Sequence, residues 1–209
     1  MRALPLLCLP ALVASLSCTD PAKGKAKAVT AEATPQSASA NLAGAQTYVI
    51  EPATSKVQWV GSKVTGKHEG GFKSFTGTAS LVDPLEKSSV NVEIDTDSLY
   101  SDNEKLSGHL RSPDFFDVAS FPKATFASTE IKKGGEGGSH TVTGNLTLHG
   151  VTKTITFPAT LRATAEGVEV DAEFAINRKD FGIVYAGKQD DLIRDDVVIK
   201  LSIRAPKKA

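Results

Sequence analysis

The residues of this chain that could do chemistry are few and dispersed. Four histidines, His68, His109, His140 and His149, are too scattered to form a recognisable zinc motif, although folding could bring two of them together. There is no Gly-x-Ser-x-Gly elbow and no glycine-rich phosphate loop ahead of a helix. Both cysteines, Cys8 and Cys18, fall in the first 18 residues, so the rest of the chain has no thiol nucleophile and no disulfide. Asp190-Asp191 and Asp195-Asp196 make a local acidic run whose spacing matches no standard calcium loop, and it is read as a solvated loop. Asn145-Leu146-Thr147 has the form of a glycosylation sequon but lies inside an expected strand. No catalytic residue, metal site or cofactor is therefore expected.

The elements around these residues read as antiparallel strands. From Gln46 onward the dominant period is two: Val90, Val92 and Ile94 alternate with Asn91, Glu93 and Asp95, and Val197, Ile199, Leu201 and Ile203 alternate with Val198, Lys200, Ser202 and Arg204. Val168 to Ile176 does the same, and further strands are expected over 56–63, 72–82, 124–132, 140–148 and 153–163, eight in all. Asp83-Pro84, the glycine run 134–138, His149-Gly150 and Glu166-Gly167 supply the turns, with His149-Gly150 the strongest hairpin signal.

One stretch breaks the period. Asp102 can cap a helix carrying Leu106 and Leu110, and Ser112-Pro113-Asp114 has the form of a second helix start, so a helical insert of roughly 20 residues is expected before Phe121-Pro122. Eight one-sided strands leave a sandwich or a closed barrel. Large and small residues mix on the expected inner face, as in Phe75-Gly77-Ala79-Leu81, Phe157-Ala159-Leu161 and Val170-Ala172-Phe174. The small ones either leave volume for a ligand or taper a packed core.

Composition narrows the class. Lys+Arg and Asp+Glu both number 24, which argues against a nucleic-acid binder. Residues 1–18 combine Arg2, an apolar run from Ala3 to Leu16 and Ser17-Cys18, the form of a bacterial export signal. Cys18 is placed as the acceptor of a lipoprotein diacylglycerol, with plain secretion as the alternative. The implied location is the periplasm or a membrane-anchored lipoprotein of the cell envelope. Residues 19–45 are rich in Ala, Lys, Thr, Ser and Pro and are read as a disordered tether, or as a low-complexity tail with no role. The folded domain is placed at 46–206.

An ordered set of segments resembles the YceI-like family of exported bacterial proteins. It runs from Trp59-Val60-Gly61-Ser62-Lys63 and Gly66-Lys67-His68-Glu69-Gly70 through His109-Leu110-Arg111-Ser112-Pro113-Asp114-Phe115-Phe116-Asp117 and Phe121-Pro122-Lys123-Ala124-Thr125-Phe126. Gly144-Asn145-Leu146-Thr147-Leu148-His149-Gly150-Val151-Thr152 and Asn177-Arg178-Lys179-Asp180-Phe181-Gly182 complete it. The resemblance implies an all-β fold, an eight-stranded antiparallel lipocalin-like β-barrel with a short helical insert. It also implies a long apolar pocket for a polyisoprenoid, quinone or fatty-acyl lipid, and it leaves room for a homodimer. The 66–71 segment is read as a loop that resembles one branch of the family.

The ligand-lining candidates on strands are Trp59, Phe72, Phe75, Phe126, Phe157 and Phe174, and those in the insert are Leu106, Leu110, Phe115 and Phe116. Each aromatic has ordinary core packing as its alternative. His68, His109 and Arg111 are the polar residues to follow. His109 either hydrogen-bonds the insert in place or meets a head group; Arg111 either meets a phosphate or quinone oxygen or pairs with Asp114 or Asp117. The expected function is non-enzymatic binding of such a lipid for transport, storage or buffering. The alternative is a closed barrel whose exterior binds an envelope protein in redox or stress response.

Overall fold

The structure, a computed structural model, describes residues 20–35, 44–164 and 166–207. The export signal expected over 1–18, with Cys18, lies outside the described residues. Two short N-terminal strands, β1 (Ala26–Lys27) and β2 (Val29–Glu32), precede β3 (Gln46–Ile50), β4 (Lys56–Lys63), β5 (Gly66–Phe72), β6 (Phe75–Leu81), β7 (Ser89–Asp95) and β8 (Leu99–Ser101). After helix α1 (Glu104–Arg111) come β9 (Lys123–Lys133), β10 (His140–Leu148), β11 (Val151–Ala163), β12 (Gly167–Asn177), a small hairpin β13 (Gly187–Lys188) and β14 (Asp191–Leu192), and β15 (Asp196–Pro206).

The main sheet runs in the order β3-β6-β7-β9-β10-β11-β12-β15-β4-β5-β8 and curls strongly into a half-barrel. All eight strands expected from alternation are present within it. The curl has local causes. The β9–β10 register shifts between Thr143 and Gly144, where a Cβ on Gly144 would meet the Phe126 ring at 2.5 Å. His149 and Gly150 both take positive φ, 49° and 74°, the backbone that a two-residue hairpin requires. The sheet path ends at β3 and β8, and side chains carry the closure on one side. Thr54 and Ser55, after β3, donate to the carbonyl of Arg204 on β15. Tyr48 and Ile50 pack with Val57, Ile203 and Ala205.

Four sequence expectations are corrected. The helical insert is one helix, not two. Its N-cap is Asn103, whose Oδ1 accepts from the Leu106 amide, while Asp102 bonds His68 and the Glu69 amide instead. Ser112 ends that helix and the chain then turns, because Phe115 and Phe116 are drawn inward: the amide of Phe116 bonds the Leu110 carbonyl, and Asp117 takes φ 42°. The Gly66–Gly71 segment is strand, not loop. Its glycines are sites of close approach, since Gly71 would bring a Cβ within 2.6 Å of the Val57 carbonyl. The expected strand 72–82 breaks at Lys73-Ser74, where both amides turn to Ser98.

The fourth correction concerns the tether. Residues 20–35 are not a disordered stretch: β1 and β2 lie in the sheet between β11 and β12. Their composition is poor in apolar residues, but two free strand edges supply the backbone partners that composition cannot foretell.

Candidate functional site

The half-barrel encloses an elongated cavity of about 620 Å³. Its wall reaches from Leu81, Leu85 and Ala163, near the β6–β7 and β11–β12 turns, to His109, Tyr185 and Asp191 at the end carrying α1. On the sheet, Trp59, Phe72, Phe126, Phe157 and Phe174 face it, and from the insert Leu106, His109, Leu110, Phe115 and Phe116 do. Alternation along each strand brings the first group in. The second arrives because α1 lays one side across the mouth and the following turn drops two phenylalanines inside. The rings meet edge-on, Phe72 with Phe116 at 5.9 Å and His109 with Phe115 at 5.0 Å.

Two candidates sit elsewhere. Phe75 is buried in the separate cluster of Tyr48, Ile50 and Val57. Arg111 turns away from the cavity: its Nε donates to the Asp97 carbonyl at 2.9 Å and its Nη2 donates to the Leu99 carbonyl. Neither Asp114 nor Asp117 pairs with it; Asp114 instead meets His109 at 2.8 Å and fixes that ring at the mouth. The small inner residues divide as well. Ala79 faces the cavity, whereas Ala159, 1 % exposed, is packed core.

The sequence-defined fold places the chain among known proteins. The YceI-like domain matches residues 48–205. The chain belongs to the YceI-like family.

Within this family the chain is 41% identical over 135 residues to a UPF0312 protein of Enterobacter sp., a match covering 59% of this chain and 69% of that protein. Its fold is similar to the crystal structure of BcnA of Burkholderia cenocepacia, with a TM-score of 0.63 and 27% identity over 74% of this chain and 98% of that one. It is also similar to a polyisoprenoid binding domain from Saccharophagus degradans, with a TM-score of 0.59 over 78% of this chain and all of that one; at 18% identity this likeness is one of fold.

The YceI-like cavity has polar groups at its ends. At the helical end Lys63 pairs with Asp191, and Thr65 donates to the same carboxylate at 2.9 and 3.0 Å. The bond from Lys63 holds the Asp191 carboxyl below its ordinary value of 3.8. His68, on the wall beside them, bonds Asp102 at 2.9 Å. Arg178, 5 % exposed, organises the loop behind this end. Its guanidinium donates to the carbonyls of Ile183, Ile193 and Arg194, and desolvation pulls its pKa down. The acidic run is thereby divided among cations: Asp191 to Lys63, Asp195 to Arg178 and Lys179, Asp196 to Lys27.

Sequence reasoning missed Tyr185, which lines the cavity and touches both His109 and Phe115. The 182–193 loop has no periodicity to mark it. The aliphatic lining, such as Val92, Leu146, Leu161 and Ile199, carried a signal but one indistinguishable from ordinary core. The closed-barrel alternative needed a filled interior, and the cavity removes that premise.

Proposed function

We propose that this protein binds the apolar chain of a polyisoprenoid or similar amphiphilic lipid within the half-barrel, as a non-enzymatic carrier or buffer. The observation that carries the reading is the cavity. Its 620 Å³ lies within the roughly 300–1,000 Å³ usual for ligand sites, and its wall is built from Leu, Ile, Val and Phe with polar groups kept to the ends. Family membership and the likeness to a polyisoprenoid binding domain support the same reading.

The energetics are adequate without a charged contact. Burying about 500 Å² of ligand at about 25 cal/mol/Å² yields on the order of 12 kcal/mol gross. Association and chain ordering take back several of these, which leaves micromolar to nanomolar binding within reach. At the helical end, His109 and the Lys63–Asp191 pair are placed to meet a head group.

Organic extraction of the purified protein followed by mass identification tests this. An apolar lipid is expected in the extract, or uptake of an offered polyprenol by native mass spectrometry. An apo protein that takes up neither polyprenols nor fatty acids overturns it.

The reading places the protein at the bacterial cell envelope, exported and held by a lipid on Cys18, and its support is the sequence of residues 1–18. The mass of the N-terminal peptide after detergent extraction decides it: a diacylglyceryl cysteine at the N-terminus is expected, and a free thiol at Cys18 or cleavage elsewhere overturns it.

A further inference from the structure

The β11–β12 hairpin opens part-way along. Direct pairing runs from Ala163↔Val168 to Thr160↔Asp171 and stops, although β11 extends back to Val151 and β12 on to Asn177. The N-terminal segment enters the gap and pairs with its two edges in turn, β1 with β12 and β2 with β11. It runs parallel to β12 at Ala26↔Phe174 and Lys27↔Ala175, and antiparallel to β11 from Val29↔Thr156 to Glu32↔Lys153. The Ala28 amide, between the two runs, donates to the Ala175 carbonyl at 2.8 Å.

From this geometry we infer that Ala26–Glu32 is a spacer strand: it sets the girth of the cavity's helical end and so decides which lipid chains the protein accepts. The inference rests on the lipid-binding reading for its consequence, not for its geometry.

Three observations carry it. First, an intervening strand holds its neighbours apart by one further strand spacing, about 4.8 Å. Second, the side chains keep the interrupted register. Continued by three places, it sets Phe157 opposite Phe174, and those rings stack 4.1 Å apart at 14° although their backbones no longer pair. Third, the spacer adds perimeter without bulk. Within it Ala28 alone is buried, at 6 % exposure, and it joins the core cluster of Phe157 and Phe174.

The outer face is fastened by charge and hydrogen bonds. Lys25 pairs with Glu173 at 2.7 Å, Lys27 with Asp196 at 2.8 Å and Glu32 with Lys153 at 2.6 Å. Just beyond, Asn145 Nδ2 donates to the Thr34 carbonyl at 2.7 Å. This segment lies ahead of residues 48–205, the part matched by the YceI-like domain. Without the spacer, the facing edges of β11 and β12 would lose their backbone partners, and the retained register lets them satisfy one another by zipping together. The cavity would then narrow by one strand.

The test compares the full chain with a variant lacking residues 20–35 and with Ala28→Asp, which forces a carboxylate into the core and ejects the spacer from an otherwise intact chain. One readout needs no lipid: amide exchange at Thr154, Thr156 and Ala175, the positions whose N–H groups face the gap. These amides are expected to stay protected in both variants, as zipping requires; fast exchange overturns the inference.

The second readout is the affinity for two probes, straight-chain palmitic acid and methyl-branched geranylgeraniol. The variants are expected to lose the branched probe by about tenfold or more relative to the straight one, the scale set by excluded methyl groups. An unchanged ratio overturns the role in selectivity. If the full chain takes neither probe, the lipid-binding reading falls, while the exchange data still decide the spacer geometry. If the deletion does not fold, Ala28→Asp carries both readouts.

Discussion

Trp59 and Gly70 stand directly opposite each other on β4 and β5, and the indole lies across the bare backbone of the glycine. A Cβ on Gly70 would come within 2.8 Å of the indole Cε2 and would collide with both Cζ2 and the Tyr100 carbonyl. Gly70 is therefore what lets a large ring line the cavity from β4, a strand hydrogen-bonded on both sides. Gly70→Ala is expected to lower stability by about 1–3 kcal/mol, the usual cost of overpacking, because the nearest obstruction is backbone. Urea denaturation measures this, and a midpoint equal to the wild type's would contradict it.

Trp59 is the chain's single tryptophan and it faces the cavity, so its emission reports occupancy. A fatty acid brominated along its chain is expected to quench that emission saturably, and the unbrominated acid to leave it unquenched. Quenching that rises without saturation would indicate contact from bulk solution.

Arg111 acts as a clamp between α1 and the β7–β8 connection, through the carbonyls of Asp97 and Leu99. Arg111→Ala should cost about 1–2 kcal/mol, the lower part of the range for charged hydrogen bonds because the side chain is 32% exposed. Arg111→Lys should restore little of it, since a single ammonium lacks the fork that reaches two carbonyls. Lipid affinity measured well below the melting temperature should change less than stability; a selective loss of phosphate-bearing ligands would instead place Arg111 at the head group.

Asp191 joins the β13–β14 hairpin to the β4–β5 turn, and its carboxyl is held below 3.8 chiefly by Lys63. A depressed folded-state pKa stabilises the ionised form. That contribution is in force above the ordinary value of 3.8 and is lost as pH falls through the lower folded value. Amide exchange at Val64, which bonds the Leu192 carbonyl, should accelerate across this acidic window. In Asp191→Asn the contact should already be loosened at neutral pH and the acid step should vanish; an acid step persisting in that variant would assign it to another group.

Much of the architecture was legible along the chain, because a strand covered on one face writes its burial as a period of two. The inward positions of Phe126, Phe157 and Phe174 and the His149-Gly150 hairpin follow from local rules of that kind. So did the helix that carries Leu106 and Leu110, though its cap did not: Asp102 and Asn103 are both good caps, and only the arrival of His68 from another strand claims the first of them.

What the tertiary structure alone decided is where long-range partners lie. Arg111 had acidic neighbours in sequence, yet two carbonyls on a separate segment took it. Alternation puts Ala79 and Ala159 alike on an inner face, and both are buried, yet only Ala79 reaches the cavity wall. The N-terminal residues show it most clearly. Nothing in Ala26–Glu32 marks it as sheet, since its order comes from unpaired backbone on β11 and β12, and a composition has no record of another strand's free edge.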